Sequence, residues 1–150
     1  MQLNAPRHKG TRVPLFFLLS GEHPTLPFSE LKSVLEAEGC RYQVLERLPQ
    51  VLRVEADVES IKFVSFRAAL TRVCGLELFD CVAVPSEILE KMRKASLEGF
   101  LEEGESFVVR VQRVGGSRPN VVGMELERRL GGRILKKAGG VKGSRKNPEK

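Results

Sequence analysis

Residues 104–150 of this 150-residue chain carry twelve Lys/Arg against four Asp/Glu, whereas residues 1–103 carry thirteen against fifteen. Cations gathered this way attract polyanions, either nucleic acid or an anionic membrane surface, because contact releases counterions. Three stretches space them in a usable manner. In "SFVVRVQRV", Arg110 and Arg113 alternate with valines; Ser117-Arg118-Pro119-Asn120 reads as a loop supplying a helix N-cap; and Arg133, Lys136, Lys137, Lys142, Arg145, Lys146 and Lys150 meet one acid, Glu149. A strand edge, a helix N-terminus and a post-helix loop can converge on phosphates through cations and free backbone N–H groups together. Arg128 and Arg129 read differently: opposite Glu125 and Glu127, they complement the dipole of a short helix near its C-terminus. The absence of Trp and the single Tyr argue against an aromatic stacking platform for bases and favour recognition of shape and backbone. The competing reading of the last residues, Asn147 included, is a solvated basic tail.

Other chemistries lack their residues. Nucleophilic catalysis needs a hydroxyl or thiol beside an imidazole, and the two histidines are His8, in a polar N-terminal stretch, and His23, in a turn. Cys40, Cys74 and Cys81 form no CxxC pair and with the histidines match no zinc spacing, so no catalytic and no metal site is expected. An odd number of cysteines fits a reducing, cytoplasmic protein. "GGVKGSRK" has glycines and cations without P-loop spacing. The apolar run "VPLFFLL" is far too short to span a bilayer, and no membrane association by insertion is expected.

The elements that must hold the cations follow from periodicity. Residues 1–12 read as a basic tail. Within residues 13–84, Leu15–Leu19 reads as a buried central strand, and a helix follows from Pro27 with Phe28, Leu31 and Leu35 on one face and Gly39 as its stop. Strands at Tyr42–Leu48 and Val51–Glu55 flank a Pro49-Gln50 turn. Asp57 is expected to cap a helix reaching about Val73, ended by Gly75, with "LELFDCVAV" as the fourth strand. The order β-α-β-β-α-β is that of a ferredoxin-like split βαβ unit. Residues 85–150 form a second α/β unit: a helix from Pro85 carrying Ile88, Leu89, Met92 and Ala95, a break at "EEGE", the strand 106–114, a helix, and the basic end. The fold class expected is α+β.

Three segments, "FFLLSGEHPTLPFSELKSVLEAEG", "LERLPQVLRVEAD" and "SFVVRVQRVGGSRPNVVGMELERRLGGRIL", together resemble the N-terminal half of archaeal tRNA guanine-N2 methyltransferases that modify guanosine 10. That family joins a ferredoxin-like domain to an RNA-binding THUMP domain and then to a methyltransferase domain using S-adenosylmethionine. The resemblance implies that tRNA is the partner, held by its acceptor 3′ end. It implies that Arg110, Arg113, Ser117, Asn120, Arg133, Lys136, Lys137, Lys142, Arg145, Lys146 and Asn147 fall on the RNA-binding surface. It further implies that this chain holds no cofactor, the methyl donor belonging to a catalytic domain missing here. The THUMP-like unit is expected to be incomplete at its C-terminal end. Two alternatives stand beside this reading: a THUMP-type adaptor presenting tRNA to a separate enzyme, and a ferredoxin-like module that binds a small regulatory ligand.

Overall fold

The apolar run of residues 13–19 lies in β1 (Arg12–Leu19), the longest strand of the computed structural model, which describes residues 10–115, 123–140 and 142–143. The chain divides into two units, Met1–Glu77 and Leu78–Lys150. In the first, β3 (Val51–Asp57) and β4 (Thr71–Leu76) pair antiparallel with opposite edges of β1, and β2 (Tyr42–Leu48) lies beyond β3, giving the order β2-β3-β1-β4. With α1 (Leu26–Ala37) and α2 (Ser60–Arg67) the unit is a ferredoxin-like βαββαβ fold, and the protein is α+β. Alternate residues of the central strands face the helices: Leu15, Phe17 and Leu19 of β1 and Leu52, Val54 and Ala56 of β3 pack on Phe28, Leu31 and Leu35 of α1 and Val64 of α2. Burying each of these larger side chains contributes about 1.5–3 kcal/mol.

Local chemistry fixes the turns. His23 Nδ1 accepts the N–H groups of Thr25 and Leu26 at 3.2 and 3.0 Å, capping the start of α1, and Pro27 sits in its first turn. Gly39, at φ 61, ends it. The β2–β3 hairpin turns at Pro49-Gln50, with Gln50 itself at φ 61.

Two expectations for this unit are corrected. The second helix stops at Arg67 instead of continuing to Val73, and Asp57 is the last residue of β3, not a helix cap. The Glu30 carboxylate accepts the N–H groups of Ala69 and Leu70 at 2.9 and 2.8 Å, diverting donors that a continuing helix would use, and Ala68 is extended. Consequently the fourth strand is Thr71–Leu76, not Leu76–Val84. Gly75 is inside it because Phe16 lies across the pair: a Cβ at Gly75 would stand 3.1 Å from the Phe16 ring.

The second unit contains α3 (Pro85–Lys94), β5 (Ser106–Phe107), α4 (Gly123–Lys137) and β6 (Lys142–Gly143). Leu89 of α3 and Leu126 of α4 centre a small cluster with Ile88, Val111 and Leu130. β5 and β6 pair in parallel, Ser106 opposite Lys142 and Phe107 opposite Gly143, with α4 as the crossover.

Here too the sequence reading needs correction. α3 ends at Lys94, well before "EEGE": Ala95 turns extended at ψ 143, and the Lys137 ammonium takes up the Met92, Arg93 and Ala95 carbonyls there. Among the described residues the strand expected over 106–114 is a ladder only at Ser106–Phe107; further on, Val111 N–H donates to Glu127 Oε1 at 2.8 Å, a side chain of α4 and not a neighbouring strand. α4 also runs straight through Gly131-Gly132, so Arg133, Lys136 and Lys137 lie in its last turns and do not follow it.

Candidate nucleic-acid interface

Helix position decides what each cation of α4 can do. Arg128 and Arg129 are the sixth and seventh residues of a fifteen-residue helix, not its C-terminal end. The dipole effect fades within the first and last turns, so complementing it does not account for these two residues. Arg129, Arg133 and Lys136 recur at i, i+4 and i+7 and share one face. Among the described residues none of Arg128, Arg129, Arg133 and Lys136 meets a carboxylate within ion-pair distance.

α3 shows the contrary arrangement. Arg93 and Lys94 reach the Glu90 carboxylate at 2.8 and 3.2 Å, and hydrogen bonds from Arg93 and then Lys94 hold that carboxyl down to about 2. Cations neutralised by a neighbour have little left for a polyanion. Lys137, though basic, is likewise committed: its Nζ donates to Met92 O at 3.3 Å, to Arg93 O at 2.7 Å and to Ala95 O, which uses all three ammonium protons at the end of α3. A cation at a helix C-terminus is favourable on charge grounds as well.

The remaining expected residues are distributed as follows. Arg110 and Arg113 lie in the extended segment after β5, both exposed, with one Arg110 guanidinium nitrogen donating to Val109 O at 3.3 Å. Lys142 lies in β6. Ser117, Asn120, Arg145, Lys146 and Asn147 lie outside the described residues. The structure therefore brings Arg110 near α4, places Arg133 and Lys136 on that helix, and gives Lys137 a structural partner.

Between α4 and the β5 segment runs an open groove of about 680 Å³. Phe107, Val109, Met124 and Leu135 supply apolar wall, Gly131 and Gly132 leave helix backbone bare, and Arg110 and Arg128 stand at it with Glu127. Met124 is 82% exposed and Leu135 44% exposed, so this apolar surface is uncovered by the described residues.

Sequence reasoning set Arg128 and Arg129 aside because it read them near the C-terminus of a short helix; the longer α4 puts Arg129 in one row with Arg133 and Lys136. His23, set aside as a surface turn residue, accepts the N–H groups of Thr25 and Leu26 where α1 begins. Among the described residues no group of three or more His, Cys, Asp or Glu is arranged to hold a metal. Burial pushes the Cys74 thiol up, away from the thiolate form that does chemistry.

Comparison with known proteins gives a consistent but partial picture. No protein-family model matches the chain. A tRNA (guanine(10)-N2)-dimethyltransferase of Methanothermobacter thermautotrophicus is 30% identical over 134 residues, which cover 87% of this chain and 36% of the enzyme. The crystal structure of PH1313 from Pyrococcus horikoshii Ot3 superposes with a TM-score of 0.55 at 16% identity, covering 89% of this chain and 47% of that one. At that identity the likeness speaks for the fold alone. The chain thus spans about a third of the curated relative it matches, and what it is similar to is a portion of a tRNA-modifying enzyme.

Proposed function

We propose that this chain is the tRNA-binding portion of a tRNA guanine-N2 methyltransferase, gripping the acceptor 3′ end while a separate catalytic domain methylates. The observation that carries the reading is the set of cations along α4, Arg128, Arg129, Arg133 and Lys136, none of which meets a carboxylate among the described residues. Arg133 and Lys136 take phosphates, Arg110 and Arg113 lie in the extended segment after β5, and Lys142, Arg145, Lys146 and Asn147 belong to the same set by sequence. Lys137 supports that surface by closing α3 onto α4 and does not contact RNA. The match to a tRNA methyltransferase supplies the substrate class.

The methyl donor does not fit the residues at hand. Among the described residues the first sheet is wholly antiparallel and the second has two-residue strands, so neither offers the glycine-rich βα turn and strand-end carboxylate that such a nucleoside cofactor needs. No step of methyl transfer is assigned to this chain.

The test compares intact tRNA with the same tRNA trimmed of its unpaired 3′ nucleotides in a competition binding assay. The 3′-end reading expects at least about tenfold weaker binding of the trimmed molecule, which is about 1.4 kcal/mol. Equal affinity for both would leave only general charge attraction and refute a 3′-end grip.

A further inference from the structure

Among the described residues Gln50 is the one residue other than glycine with a positive φ, at 61. It follows Pro49 in the β2–β3 turn, a position that glycine or asparagine fills with less strain. Its backbone is held by Leu19 N–H, which donates to Gln50 O at 2.7 Å, while its carboxamide has no hydrogen-bond partner among the described residues. The side chain lies against Gly21, where a Cβ would stand 2.5 Å from Gln50 Nε2. A strained residue whose polar group the fold leaves over calls for a partner outside the fold.

Gln50 and Gly21 line a cavity of about 350 Å³ within the first unit, between the β1–α1 loop and the β2–β3 turn, a size at the lower end of small-molecule sites. Its other polar groups are donors. Arg47 spends one N–H on Pro24 O at 3.2 Å and stacks 3.9 Å from the Phe28 ring centroid, which fixes the plane of its fork; it meets no carboxylate among the described residues. Because His23 Nδ1 accepts two backbone N–H groups, Nε2 carries the ring proton. Ser20, 7% exposed, accepts Glu22 N–H at 3.4 Å and keeps its hydroxyl proton to give. No acidic residue lines the cavity: the neighbouring Glu46 is held by Arg53, and Glu22 faces Arg72 at 3.9 Å. Phe28 and Leu48 supply apolar wall. One cation, neutral donors and an apolar wall match a ligand with a single negative charge spread over two oxygens beside a short apolar group.

We propose that this cavity binds a small monocarboxylate, with Arg47 and Gln50 holding its oxygens and Phe28 and Leu48 receiving its apolar end. A phosphodiester carries the same charge, but a nucleic-acid backbone presents a row of them, and the cavity offers one arginine. The inference is independent of the tRNA-binding reading, which concerns the second unit.

The test is a chemical-shift titration of the isotope-labelled full chain with benzoate and with 3-phenylpropanoate, at fixed pH and ionic strength. Benzamide, inorganic phosphate and a mixed-sequence RNA single strand of about eight nucleotides serve as competing probes. A carboxylate should shift the Gln50 carboxamide and Arg47 Nε–H signals saturably, with a Kd on the order of 1–10 mM. Benzamide, similar in shape and uncharged, should bind at least about tenfold more weakly. Arg47→Gln should weaken carboxylate binding at least about tenfold, and Lys62→Gln on α2, which removes one charge elsewhere in the unit, less than about twofold. Gln50→Gly removes the carboxamide and the strain together, so it should keep or raise the thermal unfolding midpoint while weakening carboxylate binding at least about threefold. A Gln50 that served only the turn would not separate binding from stability in this way. The proposal is overturned if neither carboxylate gives a saturable shift, or if folded Gln50→Gly protein binds carboxylate as tightly as the natural sequence. Phosphate binding as tightly as the carboxylates, or the RNA strand moving the same signals at lower concentration, overturns it as well and gives the cavity to phosphate.

Discussion

The two units differ in how their named arginines are held and in the size of the buried cluster around them. In the first, Arg53 is clasped by Glu77 through two 2.7 Å hydrogen bonds and by Glu46 at 2.5 Å, Arg67 by Glu38, and Arg47 lies over the Phe28 ring while donating to Pro24 O. Eleven buried side chains form one cluster there. In the second, among the described residues, two buried leucines centre the cluster, the paired strands are two residues long, and four cations of α4 have no acid. Free charge and uncovered apolar wall are unfavourable for an isolated fold and useful for a binding surface.

That contrast predicts first a wide gap in local stability. Amides of Phe16–Leu19, on a central strand, should exchange with solvent at least about a thousandfold more slowly than those of residues 108–114, a difference of roughly 4 kcal/mol in opening free energy. Equal protection would erase the distinction between the units. Next in size are core truncations. Phe17→Ala should destabilise the first unit by about 3–5 kcal/mol and Leu126→Ala the second by about 2 kcal/mol, read by urea titration monitored by circular dichroism. A larger loss for Leu126 would reverse the comparison.

Smaller effects sharpen it. Lys137→Met removes a charge-assisted cap from α3 and should lower stability of the second unit by about 1 kcal/mol, given its exposure. In contrast to a phosphate-binding lysine, it should leave the salt dependence of tRNA binding unchanged. The smallest effect is the acid response of α3. Glu90 has a folded value of about 2, below its usual 4.5, so its stabilising contribution is fully present above 4.5 and disappears as pH falls through 2. Helical circular dichroism of Glu90→Gln should therefore lack the part of the acid transition in that window that the natural sequence shows.

How much of this could be read in advance depended on whether the signal was local. The apolar run of β1, the 3.6-residue pattern of Phe28, Leu31 and Leu35, and the alternation of Leu52 and Val54 each identify an element without reference to anything distant. The end of α2 could not be read locally, because it is set by Glu30, some forty residues away in sequence. Gly75 and Gly131-Gly132 misled in the same manner: a glycine can end a helix, make room for a ring, or leave a groove open, and only the neighbouring element decides. Lys137 looked like its neighbour Lys136, yet one is exposed without a partner and the other closes α3. Charge counts pointed to the second unit. They could not separate cations held by carbonyls from cations available to phosphate.

The central claim is that the unpaired cations of α4 bind tRNA phosphates, and the most direct measurement is tRNA affinity across a salt series for the natural sequence and for Arg133→Ala/Lys136→Ala. Four contacts by Arg128, Arg129, Arg133 and Lys136 contribute about −3 to −4 to the log–log slope, and the double variant should bind more weakly with a slope shallower by about 1.5. A folded double variant with the affinity and slope of the natural sequence would contradict the account.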